Sequence, residues 1–169
     1  MTEQYNAPVP HYSAQPPSVG CPLCGAPYFG VTPVCGNCGQ VVGAPPGVRL
    51  STVGKRFGGW ILEIALSIVT LGIGYFIWSL IVWANGTTPG KQLLGMRVIR
   101  MDTRARAGWG RMFIREFLVS GLLIGFLSAI TAGIGWIVAV CLIFGALRQT
   151  LWDLISGTTV VDDPDGRLR

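Results

Sequence analysis

The sequence predicts an all-α integral membrane protein of short helical hairpins, four helical segments in all, behind a small N-terminal zinc-ribbon-like module. Three observations carry that expectation: two long apolar stretches, basic residues crowded before and between them, and two matched cysteine knuckles ahead of both. Half of the 169 residues are apolar and 12% are charged, about half the charge share of an average soluble domain. Glycine, with 24 residues, is the commonest type, which membrane helices tolerate better than soluble ones. The formal net charge of +5 fits a chain whose Lys and Arg face anionic headgroups. These basic residues flank apolar runs and form no single soluble surface, so no nucleic-acid partner is expected.

Residues 1–20 are polar and Pro-rich, and they hold the sole histidine, His11. Such a composition cannot bury a core, so a disordered tail is expected there. No secretory leader is apparent, which places the N-terminus in the cytoplasm. The knuckle module follows at 21–43, a linker at 44–49 around Ala44-Pro45-Pro46-Gly47, the membrane domain at 50–162, and a polar C-terminal tail at 163–169.

Cys21, Cys24, Cys35 and Cys38 form two Cys-x-x-Cys-Gly turns. Each turn points two thiolates at one centre, and its glycine permits the tight backbone that turns amides towards sulfur. Two such turns complete a tetrahedral sulfur site suited to zinc. A pair of disulfides is the rival and would need an exported domain, for which no signal is present. A sulfur-only site leaves no open position, so the zinc is structural, and so small a module folds with its metal. The fifth cysteine, Cys141, lies in an apolar run and is expected to pack.

Residues 60–83 are almost wholly apolar, with Glu63 the only charge, and residues 117–147 are uncharged. A bilayer core of ~30 Å takes ~20 helical residues, so both stretches qualify as membrane segments. Single passes would put the basic loop with Lys91, Arg97, Arg100, Arg104, Arg106, Arg111 and Arg115 on the far side from Arg49, Lys55 and Arg56. Hairpins keep every basic residue inside. Breaks suited to hairpins occur at Thr70-Leu71-Gly72-Ile73-Gly74 and Thr131-Ala132-Gly133-Ile134-Gly135, where glycine permits a turn.

Those breaks belong to a longer internal echo. The run from Gly90 to Ile99 aligns with that from Trp152 to Val161, matching Lys91 with Asp153 and Gly95 with Gly157. The domain thus reads as two degenerate repeats, each a hairpin, a short polar turn and a strand-like ending. Gly121, Gly125, Ala129 and Gly133 recur every fourth residue, a stripe for close helix packing within the chain or in a homo-oligomer.

Arg56, Glu63 and Asp153 are charged at or near membrane depth. A carboxylate there faces a partner or a wet cavity. Two readings stand: Glu63 and Asp153 bind a proton or cation in a transport path, or Arg56, Glu63 and Asp153 form one ion-paired clasp at the cytoplasmic interface, the favoured reading. Three blocks carry a family resemblance: Lys55-Arg56-Phe57-Gly58-Gly59-Trp60-Ile61-Leu62-Glu63, Thr88-Pro89-Gly90-Lys91-Gln92-Leu93-Leu94-Gly95-Met96-Arg97-Val98 and Arg148-Gln149-Thr150-Leu151-Trp152-Asp153. They resemble the RDD family of bacterial membrane proteins over roughly residues 50–162. The family's arginine falls at Arg56, its first aspartate at Glu63 and its second at Asp153. The glutamate keeps the charge on a longer side chain. The resemblance implies a multi-pass protein of the bacterial inner membrane with a role in moving ligands it does not identify, often fused to cytosolic modules.

Two functions follow as expectations. One is a small transporter or transporter subunit; the alternative is a membrane-anchored adaptor whose residues 1–43 recruit a cytosolic protein. An enzyme is not expected: no histidine lies outside the tail, Gly90-Lys91 lacks the spacing of a phosphate loop, and Asp162-Asp163-Pro164-Asp165-Gly166 lacks the remaining ligands of a calcium loop.

Overall fold

The structure, a computed structural model, describes residues 19–28 and 33–168. Most of the Pro-rich stretch, with His11, lies outside the described residues. The described chain is mostly helical, with four apolar helices and two short ones, but it is not all-helical: strands β1 (Val19–Gly20) and β2 (Pro27–Tyr28) pair in the knuckle, and a separate three-stranded antiparallel sheet organises the rest.

Each half repeats one plan. In the first, Thr52 caps helix α1 (Val53–Val69), its hydroxyl accepting from the Lys55 amide at 3.2 Å. The chain reverses at Leu71 and Gly72, both at positive φ, and returns as α2 (Ile73–Val82). In the second, the helix α4 (Trp109–Ile130) reverses at Ala132 and Gly133, again at positive φ, into α5 (Ile134–Cys141). The two turns share their bonds. Gly72 N donates to Ser67 O and Gly133 N to Ser128 O, both at 2.7 Å, the six-to-one closure that ends a helix on a left-handed residue. Gly133 therefore belongs to a turn and not to the expected packing stripe. Cys141, expected to pack, is exposed on the apolar face of α5.

After each hairpin comes a Thr-capped short helix, α3 (Pro89–Leu93) or α6 (Leu151–Ile155). A glycine at φ +63° or +61° (Gly95, Gly157) then turns the chain into a strand. These strands, β4 (Met96–Arg100) and β5 (Thr158–Asp162), are the strand-like endings of the echo, and they pair with each other. Val98, which the echo matches to Val160, is the residue paired with Val160. A pair of equivalent residues in an antiparallel ladder lies on a local two-fold perpendicular to the sheet.

A further strand, β3 (Arg49–Leu50), joins the other side of β5. The sheet is covered on both faces, as its alternation requires. Met96, Val98 and Val160 pack with Trp83 and Met112 beneath the helices. Ile99 and Val161 pack with Val41, Val48 and Leu168 on the opposite face. Residues 44–49, expected to link two modules, make a tight turn here that runs straight into β3, with Val48 fully buried. The cysteine knuckle is thereby seated on the sheet. Leu50 N donates to Gly39 O at 2.7 Å, and buried Gln40 accepts from Gly47 N and donates to Pro45 O.

Of the helices, α4 is long and apolar enough to cross a bilayer, whereas Ile73–Asn85 and Ile134–Phe144 are apolar but shorter. Large apolar side chains stand exposed along both hairpins, among them Ile64, Ile68, Leu71, Phe126, Ile130 and Ile137. A face of this size is not one that water solvates cheaply.

Candidate functional site

The four knuckle cysteines converge as their spacing predicts. Their sulfurs all lie within 4.8 Å of one another and could hold a metal ion. The Ala26 amide and the Asn37 side chain lower the Cys24 thiol to about 6, and the amides of Cys38 and Asn37 lower Cys35. Burial pushes Cys38 up to about 12. Amides favour thiolates at one side of the cluster while crowding opposes a further charge at the other, a conflict that a bound cation removes.

The second centre is a buried ionic clasp. Asp153 is fully buried, and the Thr150 hydroxyl and amide donate to its Oδ2 at 3.0 and 3.2 Å. This is a capping box, so α6 sets the carboxylate rigidly. Two guanidiniums flank it. Arg56 on α1 meets Oδ2 and also donates to the Arg148 carbonyl; Arg115 on α4 places Nε at 2.8 Å and Nη2 at 2.6 Å from Oδ1. Burial raises the Asp153 carboxyl, but Arg115 and Arg56 outweigh it and hold the group well below the usual carboxylate range. One aspartate thus fastens a helix from each half to α6.

Glu63 does not join that clasp. It faces α3, where Lys91 Nζ donates to Glu63 Oε1 at 2.7 Å and to Thr88 Oγ1 at 3.0 Å, while the Thr88 hydroxyl also donates to Glu63. The single three-membered clasp expected from Arg56, Glu63 and Asp153 is two ion-paired centres. Glu63 lies two turns beyond Arg56 on α1, about 10 Å along the axis, and meets the short helix of its own half. Gly90 makes the approach possible: a Cβ there would sit 2.6 Å from both Glu63 Cγ and Gly59 O.

Between the hairpins lies a cavity of ≈ 320 Å³ lined by Trp60, Glu63, Lys91, Glu116, Trp136 and Trp152, with Ser67 and Ser120 also on its wall. Glu116 pairs with Arg115, which ties the cavity wall to the clasp. The two centres together hold six charged side chains, three of each sign, and each has a partner of opposite charge; Glu63, Lys91 and Glu116 face the cavity.

The RDD family model matches residues 25–157. The chain belongs to the RDD family. Searches of curated proteins and of solved structures return no match. Family membership, with α4, marks the chain as membrane-associated. The match reaches back into the knuckle, past Cys35 and Cys38, consistent with a knuckle seated on the RDD sheet.

Two residues of the RDD site escaped the sequence reading. Arg115 was counted with the loop arginines that set orientation, yet it is 1% exposed and shares Asp153 with Arg56. Glu116, its neighbour, was not singled out. Both sit where α4 is wound as a π-helix (Ile114–Ile124), a winding that lets adjacent residues turn towards one centre and is frequent at functional sites. The signal available was an Arg-Glu pair opening an apolar stretch.

Proposed function

We propose that this RDD protein is a multi-pass protein of the bacterial inner membrane, N-terminus in the cytoplasm, that moves a small ligand through the cleft between its hairpins. The carrying observation is the Glu63–Lys91 pair on the wall of a cavity flanked by apolar helices. Charged groups at such depth mark pathways when they face a cavity. The two earlier readings divide between two centres. Arg56, Asp153 and Arg115 are structural, being buried away from the cavity wall, whereas Glu63 and Lys91 face it. The four cysteines hold a structural zinc, the metal that a closed sulfur-only donor set suits.

The test is water access. In a background lacking Cys141, Ser67→Cys on the cavity wall and Ile68→Cys on the outer face are probed in intact cells with a membrane-impermeant thiol reagent. Reaction at 67 with protection at 68 supports a wet path. Protection at both sinks the transport reading and favours the adaptor. For the adaptor the exposed Pro22 edge of the knuckle is the recruiting face, and it is tested by substitution of Pro22, which leaves the four cysteines in place, since truncating residues 1–45 would also remove buried Val41.

A further inference from the structure

The cavity presents both signs of charge side by side. Lys91 and Glu63 touch at 2.7 Å with their side chains 4% and 16% exposed. Glu116, on the same wall, is already bound to Arg115. A free cation drawn to Glu63 would leave the Lys91 ammonium unpaired out of water, and a free anion drawn to Lys91 would strand the Glu63 carboxylate. Either outcome uncovers a poorly solvated charge, the costly way to break such a pair. A ligand carrying one ammonium and one carboxylate avoids both costs. It exchanges a single ion pair for two and leaves the net charge of the cavity unchanged.

Much of the remaining wall is aromatic. Trp60 stands 6.1 Å from Trp136 and 5.8 Å from Trp152 between ring centroids. The ≈ 320 Å³ volume lies at the lower end of ligand pockets, which suits a ligand of about a dozen heavy atoms or fewer. Resting on the cavity reading above, we propose that the site takes a small zwitterion with an apolar side chain, of the free α-amino acid class. Its ammonium meets Glu63, its carboxylate meets Lys91, and its hydrocarbon lies against the indoles.

The full-length protein in mild detergent is titrated at neutral pH with three molecules of one hydrocarbon skeleton, following tryptophan emission. These are leucine, isoamylamine, which lacks the carboxylate, and isocaproate, which lacks the ammonium. Leucine is expected to give a saturable change, with the other two at least tenfold weaker, about 1.4 kcal/mol. Glu63→Gln and Lys91→Gln are each expected to weaken leucine at least tenfold, while Lys91→Arg retains it and shows the fold intact. Amine binding as tight as leucine makes this a cation site and overturns the zwitterion, leaving the cavity reading standing; acid binding as tight does the same in favour of an anion. Leucine binding indifferent to both Gln variants places it elsewhere. No saturable change with any of the three removes the cavity reading itself.

Discussion

Lys91 and Asp153 occupy the same station in the two halves, each the third residue of a short helix that follows a capping threonine, and they carry opposite charges. Lys91 takes its partner, Glu63, from its own half, and Asp153 takes one arginine from each half. The repeat has kept the geometry of an ionised side chain at that position while exchanging its sign. One copy has become an anchor and the other the wall of a cavity.

Neutralising the anchor leaves two guanidiniums facing each other in the interior. Asp153→Asn is expected to destabilise the fold by about 3–5 kcal/mol, measured as loss of helicity against added denaturing detergent. Glu63→Gln should cost less, because it leaves one buried cation unpaired where Asp153→Asn leaves two, and its amide oxygen can still accept from Lys91 Nζ and the Thr88 hydroxyl. Equal losses would mean that both pairs serve only as structure.

Acid should reach the clasp late. The folded Asp153 carboxyl is depressed while the unfolded one titrates near ~3.9, so its contribution to stability is complete above about pH 5 and is lost as pH falls through the folded value. The unfolding midpoint of the wild type should drop in that acid range, and Asp153→Asn should lack this part of the drop.

Gly90 offers a steric test. The Cβ of Gly90→Ala would meet Glu63 Cγ and the Gly59 carbonyl at 2.6 Å, pushing α3 from α1 at a cost of about 1–3 kcal/mol. Gly54→Ala, with nothing within 4 Å of its Cβ, should be neutral or gain up to ~1 kcal/mol. Thermal unfolding of the two variants side by side decides it.

Metal removal should be felt beyond the knuckle. Gly39 O holds Leu50 N, Leu50 and Ser51 carbonyls accept from Arg148 Nη1, and the Arg148 carbonyl accepts from Arg56 of the clasp. Chelation, or Cys35→Ser, is expected to lower the melting temperature of the membrane domain and shift the emission of Trp152 beside Asp153. Arg148→Ala should weaken that shift without loss of metal. A melting curve unchanged by chelation would show the knuckle to be merely appended.

What the sequence disclosed were features with local causes. Two Cys-x-x-Cys turns announce a sulfur cluster because each is a self-contained turn, and the Thr-x-Gly breaks announce reversals because few other residues reach those φ values. The Gly95 and Gly157 echo foretold two strands but not that they would pair. Arg115 is not separable in the sequence because charge counting treats every arginine near an apolar run alike, and only its buried place beside Asp153 distinguishes it. The docking of the knuckle was hidden for a similar reason: Val41, Val48 and Leu168 are too scattered to form a periodic pattern, and they become one core only around the sheet.

The two-fold through Val98 and Val160 is perpendicular to the sheet, so it maps each face of the sheet onto itself and sends both hairpins out on one side. The halves are thus parallel repeats, not inverted ones. Inverted repeats let a carrier change its opening by exchanging the conformations of its halves; that exchange is closed to this molecule. Its sheet end and its hairpin tips are unlike structures, and the β4–β5 ladder joins the halves at the sheet end, so on the transport reading proposed above a ligand entering by one end leaves by spreading the other.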